Sequence, residues 1–144
     1  MSNPTTTQHI VTEMFVAWNA HDADRLARLY APDAEEHDNA QPLPHYGPFN
    51  LRRIMRSYLR AFPDLKIDVR DVVINGERAA VTWILRGTHH GELMNIPATG
   101  RRVEVSGTTL LTIEDGRIQA AQRLWDVAGL LRILGLLPGL PSNN

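Results

Sequence analysis

Arg123, His37, Asp38, Asp126 and His89 are the side chains of this sequence best suited to acid–base or electrostatic catalysis. Arg123 stands in a moderate to apolar run with Ile118, Ala120, Ala121, Leu124 and Trp125. A guanidinium in such a setting holds a carboxylate, or stabilises an enolate or phenolate as charge develops on oxygen. The alternatives are an arginine on the outer face of a sheet, or one paired with Asp126 or Asp71. Asp126 follows Trp125, and a carboxyl partly desolvated by an indole shifts towards useful acid–base values. The same residue is placed to cap a helix beginning near Ala128 or to pair with an arginine. Histidine carries protons near neutral pH, which makes His37 a candidate beside Asp38. Adjacent residues of an extended segment point to opposite faces, so the two are not both expected inward. His45 and Tyr46 belong to the same loop, Tyr46 as a hydroxyl donor. His89 suits either an acid facing a cavity or a ring that fixes the next loop by bonding a backbone carbonyl, with His90 its solvent-facing neighbour.

The large groups Trp18, Tyr30, Phe49, Tyr58, Phe62, Trp83, Met94 and Trp125 are spread along the whole chain. Most must fill a core, yet three tryptophans in a small domain also suit a cavity for a flat or polyene-like ligand. Trp18, Tyr46, Phe49, Tyr58, Trp83, Met94 and Trp125 are the expected ligand contacts, with Met94 and Ile96 in a loop able to cover them. Gly107, inside a strand pattern, marks a bend or a close approach.

The chain has 144 residues, no cysteine and a formal net charge of -1. The missing cysteines exclude a disulfide framework, a thiolate nucleophile and every Cys-ligated metal. No histidine pair has the spacing of the common helical zinc motif, and no glycine-rich loop follows a strand, so no metal, nucleotide, flavin or other cofactor is indicated. Balanced charge gives no sign of nucleic acid. The row Arg52, Arg53, Arg56 and Arg60 reads as a solvated or subunit-contact face. The N-terminal pattern is interrupted by Asn19, His21, Asp22 and Asp24, which leaves no membrane span or secretory signal and points to a cytoplasmic protein.

The elements that must position these groups follow from periodicity. Ile10, Met14, Ala17 and Trp18 recur at helical spacing, and Leu26, Leu29 and Tyr30 form a short second helix stopped by Pro32. Residues 33–48 have no clean period and read as a loop with at most a short strand near 35–37. A third helix is expected over 49–61 and ends at Pro63-Asp64. Alternation then predicts a strand from Leu65 to Ile74, a hairpin at Asn75-Gly76 and a strand reaching about His89. After a loop, strands are expected over 102–113 and from 117 to about 126, joined by Asp115-Gly116. Leu130, Leu131 and Leu134 end the pattern as a short helical segment. Three helices before a four-strand antiparallel meander make one α+β domain over 1–144, with loose ends of about 1–6 and 138–144.

Six strings, Tyr30-Ala31-Pro32-Asp33, Phe62-Pro63-Asp64-Leu65, Gly87-Thr88-His89-His90-Gly91-Glu92-Leu93, Ile96-Pro97-Ala98-Thr99-Gly100-Arg101-Arg102, Ile113-Glu114-Asp115-Gly116-Arg117-Ile118 and Leu130-Leu131-Arg132-Ile133-Leu134-Gly135, occur in an order that resembles the SnoaL-like polyketide cyclase group of the NTF2-like superfamily. The resemblance spans about Thr7 to Leu137. It implies a cone in which a curved antiparallel sheet packs on three N-terminal helices. It also implies cofactor-free chemistry by an Asp and a His on the last two long strands. This sequence departs there: Thr109 stands at the histidine position and Arg123 at the aspartate position. Neither is a general base at neutral pH, so the family's aldol mechanism does not transfer directly, and Thr109 joins the expected ligand contacts. A two-residue turn at Asp115-Gly116 pairs Thr108 with Arg123 and puts Arg123 on the face opposite Thr109. A bulge or longer turn would restore the family geometry, which is the expectation preferred here because Arg123 and Trp125 share a face.

Two classes of function fit. One is a cofactor-independent cyclase or isomerase acting on a hydrophobic polyketide-type intermediate, by folding the substrate with polar help from Arg123 and proton transfer from His37, Asp38 or Asp126. Aldol, Michael-type and pericyclic closures all suit that inventory. The other is a non-catalytic binding or accessory module. A water-adding enzyme of epoxide-hydrolase type would need Asp and Arg converging with a tyrosine or asparagine around one water. The expected partners are a hydrophobic small molecule and a second copy of the chain, with the leucine-rich tail available for an interface or for covering the cone.

Overall fold

The computed structural model describes residues 4–141; residues 1–3 and 142–144 of the ends expected to be loose lie outside the described residues. In chain order the elements are α1 (Pro4–Asn19), α2 (Ala23–Ala27), β1 (Tyr30–Asp38), β2 (His45–Tyr46), α3 (Gly47–Ala61), β3 (Lys66–Asn75), β4 (Arg78–Thr88), β5 (Arg102–Glu114), β6 (Arg117–Trp125) and α4 (Val127–Ile133). The six strands form one sheet in the order β2-β1-β6-β5-β4-β3. α1 begins within the stretch expected to be loose, and buried Thr7 donates its hydroxyl to the Gly76 carbonyl at 2.8 Å.

The main correction to the expected four-strand antiparallel sheet is β1. It runs parallel to β6, and with β2 it makes a six-stranded mixed sheet. The stretch escapes periodicity because its inward residues include Glu36 and Asp38, both buried, while Glu35 and His37 point the other way. An alternation that is polar on both faces carries no hydropathy signal. Tyr30 is accordingly the first residue of a strand and not part of a helix, and α2 already ends at Ala27. Pro32 lies exposed inside β1, where the pairing with β6 is irregular between Tyr30 and Glu35, so its missing N–H costs no ladder bond.

Inward-facing residues of the sheet alternate strictly along β4 and β5, with Ala79, Val81, Trp83 and Leu85 beside Val103, Val105, Thr109, Leu111 and Ile113. α1 contributes Ile10, Val11, Met14 and Trp18 to that face, and α3 contributes Leu51, Ile54, Met55 and Tyr58. The polar break after α1 ties the helix to the edge strand. Asn19 donates to the Ile67 carbonyl at 2.9 Å and accepts from the Ile67 N–H at 2.7 Å, as a neighbouring strand would. His21, in a left-handed conformation, bonds the Leu65 carbonyl at 2.8 Å.

Two turns set the registers. The β3–β4 turn falls on Gly76 and Glu77, between paired Asn75 and Arg78. The β5–β6 turn is a two-residue one whose central Asp115 and Gly116 both have positive φ, 50° and 74°, the twist a tight hairpin favours. It pairs Glu114 with Arg117 and Ile113 with Ile118, but Thr112 meets Ala120. Gln119 is therefore an extra residue on β6, a bulge.

Candidate functional site

The bulge at Gln119 brings Arg123 onto the helix-facing side, opposite Thr109 and beside Ala121 and Trp125 in the inward row. Arg123 is buried there, and its side chain is held by two carboxylates of β1. Its Nη1 donates to Asp38 Oδ2 at 3.1 Å, and its Nη2 is paired with Glu36 Oε1. The guanidinium carbon also lies 5.6 Å from the ring centres of both Trp18 and Tyr58, a cation–π position on two walls. Burial pulls the Arg123 pKa below its ordinary value, a cost that the paired carboxylates and aromatic faces offset.

Asp38 is the hub. Its Oδ2 accepts from the Tyr58 hydroxyl at 2.7 Å and from Arg123, and its Oδ1 accepts from Trp125 Nε1 at 3.0 Å and from the Ala40 N–H at 2.8 Å. Four donors use the capacity of a carboxylate. Asp38 thus orients Tyr58, Arg123 and Trp125 and has no free lone pair with which to take a substrate proton. Asn39 fixes the strand end next to it, bonding the Trp125 carbonyl at 2.9 Å and accepting from the Trp125 N–H at 3.2 Å. Burial, with the Asp38 charge beside it, pushes the Tyr58 phenol far above its ordinary pKa, so it acts as a donor only. Tyr30 is likewise raised by burial. Its hydroxyl and Glu36 Oε2 are buried without a hydrogen-bond partner.

On the other side of Arg123 lies a cavity lined by Phe15, Trp18, Tyr58, Phe62, Ile67, Trp83, Leu85, Val105, Thr109, Arg123, Trp125 and Leu130. It encloses about 520 Å³ out to its mouth, of which about 40 Å³ admits the centre of a water molecule. Thr109 Oγ1 accepts from Trp83 Nε1 at 2.9 Å. The Trp83 ring lies against Gly107 so closely that any side chain at that position would overlap it. Gly107 is a close approach, one of the two roles its place in a strand allowed.

Of the expected site residues, Arg123, Trp18, Tyr58, Trp83, Thr109 and Trp125 line this cavity, and Asp38 supports it from behind. The others are elsewhere. His37 is exposed on the outward side of β1, bonded to Glu35 Oε1 at 2.7 Å, because it follows Glu36 and precedes Asp38 in the alternation. Asp126 is the exposed N-cap of α4 and accepts from the Gly129 N–H at 2.8 Å. Tyr46 and Phe49 are 56% and 69% exposed where the chain enters α3. His89 is fully buried under the loop that follows β4, where its Nδ1 accepts from the Thr99 N–H at 3.3 Å, and burial lowers its pKa. Met94, half-buried with φ 50°, lines a separate groove against α3. Glu36 is not among the residues the sequence singles out; the signal it carries is its place two residues before Asp38 on an alternating segment.

Among the described residues no group of three or more His, Asp or Glu side chains is arranged to hold a metal ion, and no helix is long and apolar enough to cross a membrane.

The family model for the SnoaL-like polyketide cyclase matches residues 8–134. Among solved structures, the chain is similar to AclR, a putative hydroxylase from Streptomyces galilaeus, with 27% identity and a TM-score of 0.85 over 96% of this chain and 87% of that one. It is similar to TsrD from Streptomyces laurentii at 26% identity and TM-score 0.85, over 95% of this chain and 100% of the other. It also resembles IdmH, a putative polyketide cyclase from Streptomyces antibioticus, at 28% identity and TM-score 0.78, over 90% and 98% of the two chains. No curated protein matches it. The architecture is the α+β NTF2-like fold, with a mixed sheet and N-terminal helices.

Proposed function

The chain belongs to the SnoaL-like polyketide cyclase family, and from that premise we propose that it is a cofactor-independent cyclase or isomerase that closes a ring in a hydrophobic polyketide-type intermediate. One observation carries this reading: the Arg123 guanidinium, buried on the wall of an aromatic cavity and fixed from behind by Glu36 and Asp38. Addition of an enol carbon to a carbonyl or conjugated acceptor within one molecule moves negative charge onto oxygen. A preorganised cation in an apolar setting stabilises that charge without reorganising. Folding the chain against Trp18, Trp83 and Trp125 supplies the proximity. Thr109 and Arg123 occupy the positions where the resemblance implies a His–Asp pair, and the saturated Asp38 does not replace the missing base. The reading therefore excludes strong-base catalysis and favours closures that need charge stabilisation and shape. The space open at the cavity centre holds about three waters, so a ring-sized ligand requires the wall to part. The reading includes a homodimer, supported by exposed Val73 and Leu124 on the outer sheet face.

A specific arrangement favours a second reading, addition of water to an epoxide. Asp38, Arg123 and Tyr58 converge, and Glu36 Oε2 is a buried acceptor with no partner. Incubation of native protein and Arg123→Gln with a set of linear and partly cyclised polyketide analogues and their epoxides, in water enriched in heavy oxygen, separates the two by mass spectrometry. Ring closure gives a product of unchanged mass that depends on Arg123. Water addition gives a product that carries the heavy oxygen. Quenching of tryptophan fluorescence by ligand with no product from either set would replace both with a binding module.

A further inference from the structure

A second concavity, with about 750 Å³ open to the centres of water molecules, lies between α3 and the loop after β4. Arg53, Arg56 and Arg60 line one wall, at helical spacings of three and four that stack them on one stripe. Glu92 is the one carboxylate on the lining, against those three guanidinium groups. Among the described residues Arg56 and Arg60 have no ion pair or side-chain hydrogen bond, and Arg53 only meets Asn50 Oδ1 at 3.2 Å. The other arginines near acidic groups behave differently: Arg52, one residue off the stripe, is bound to Asp24 at 2.8 Å, and Arg25 to Glu13 at 3.0 Å. The same groove contains His45, whose Nε2 is buried and has no partner. A buried ring nitrogen without a partner carries a desolvation cost that a ligand atom would remove.

We propose that this groove is an anion site that takes the phosphate group of an organic phosphate ester. The stripe runs about 10 Å along the helix, and each guanidinium offers a fork of N–H donors. That is more donor capacity than the two oxygens of a carboxylate can use, and it suits a tetrahedral group with three free oxygens. His45 adds a single donor at the floor. The organic part of the ester has a direction to extend: Gln41 lines this groove beside Tyr58, whose side chain also lines the aromatic cavity. The site goes beyond the catalytic reading and stands without it.

Titration of isotope-labelled native protein with phenyl phosphate, inorganic phosphate and benzoate at constant ionic strength, followed by amide and arginine side-chain NMR, tests the proposal. Saturable shifts confined to α3, His45 and the Met94–Asn95 turn, stronger for phenyl phosphate than for benzoate, are expected. Inorganic phosphate shifting the same resonances assigns the affinity to the phosphate itself; a response to phenyl phosphate alone assigns it to the aryl group and overturns the proposal. Arg56→Glu with Arg60→Glu should weaken phosphate binding by about tenfold or more. Arg78→Glu with Arg117→Glu, the same charge change at exposed strand ends, should leave it unchanged. Absence of saturable shifts, equal binding of benzoate, or equal weakening by the two double variants each overturns the proposal. If the groove variant fails to fold, the native shift map decides alone.

Discussion

Thr109 and Arg123 face each other across β5 and β6, one residue out of step with the pairing that the Asp115-Gly116 turn begins. The step is made by Gln119, and everything functional on β6 depends on it. Were Gln119 taken into the ladder opposite Thr112, Arg123 and Trp125 would point to the outer face and Leu124 would enter the cavity, since a one-residue slip reverses every side chain.

One further residue inserted after Gln119 should therefore abolish the cooperative native fold or leave one in which Arg123 is solvated, whereas deleting Gln119 makes the ladder regular, with Thr112 still opposite Ala120 and Thr109 opposite Arg123, and should keep that fold. The Gln119 side chain makes only an exposed bond to Asp33 at 3.1 Å. Urea unfolding followed by tryptophan fluorescence compares the two. An insertion variant as stable as the native protein, with Trp125 still buried, would contradict the role given to the register.

Removing the Arg123 charge leaves Glu36 and Asp38 buried without their counter-ion. Arg123→Met should cost roughly 3–5 kcal/mol, and adding Glu36→Gln should recover part of that loss by deleting one of the unpaired charges. Arg123→Lys keeps the charge but has no planar fork to reach both carboxylates, so it should fall between native and Met. Denaturant midpoints for the four proteins give the order directly.

How far this site could be read beforehand depended on which physical signal each part carries. β4 and β5 bury apolar residues on one face, and their alternation is plain. α1 and α3 have apolar stripes for the same reason. β1 buries Glu36 and Asp38, so its inner face looks like a loop, which hides the parallel strand, Glu36 and the pairing of Asp38 with Arg123. His37 has the chemistry of a candidate, but its neighbours Glu36 and Asp38 have the inward parity. The bulge was anticipated only because Arg123 and Trp125 share a parity that a cavity wall needs; the turn residues themselves argue for the opposite register. Asp126 had two readings at the sequence level, and its place immediately before α4 decides for the cap.

Tyr58→Phe removes the 2.7 Å bond to Asp38 and nothing else of size. A hydrogen bond to a charged group contributes about 1.5–3 kcal/mol, and that is the expected loss of stability. Because burial and Asp38 hold the native phenol protonated far above its ordinary pKa, any activity found should show no alkaline limb that disappears in Tyr58→Phe. An alkaline limb present in the native profile and absent from the variant would mean that Tyr58 ionises, and would make it a base.

His89 gives the protein an acid-side dependence whose sign is fixed. Burial lowers its folded pKa below the unfolded value, so the unfolded chain binds the proton first. Stability contributed by the neutral ring is complete above the unfolded pKa and is lost as pH falls from there through the folded one. The Nδ1 atom that accepts from the Thr99 N–H would have to be protonated or turned away, which loosens the loop covering it. His89→Asn can keep an acceptor for Thr99 but cannot take up that proton. Melting temperatures of the two proteins between about pH 7.5 and about pH 5 should diverge, the native curve falling more steeply on the acid side. Parallel curves would show that the fall comes from other groups, and that the loop after β4 is held independently of the His89 charge.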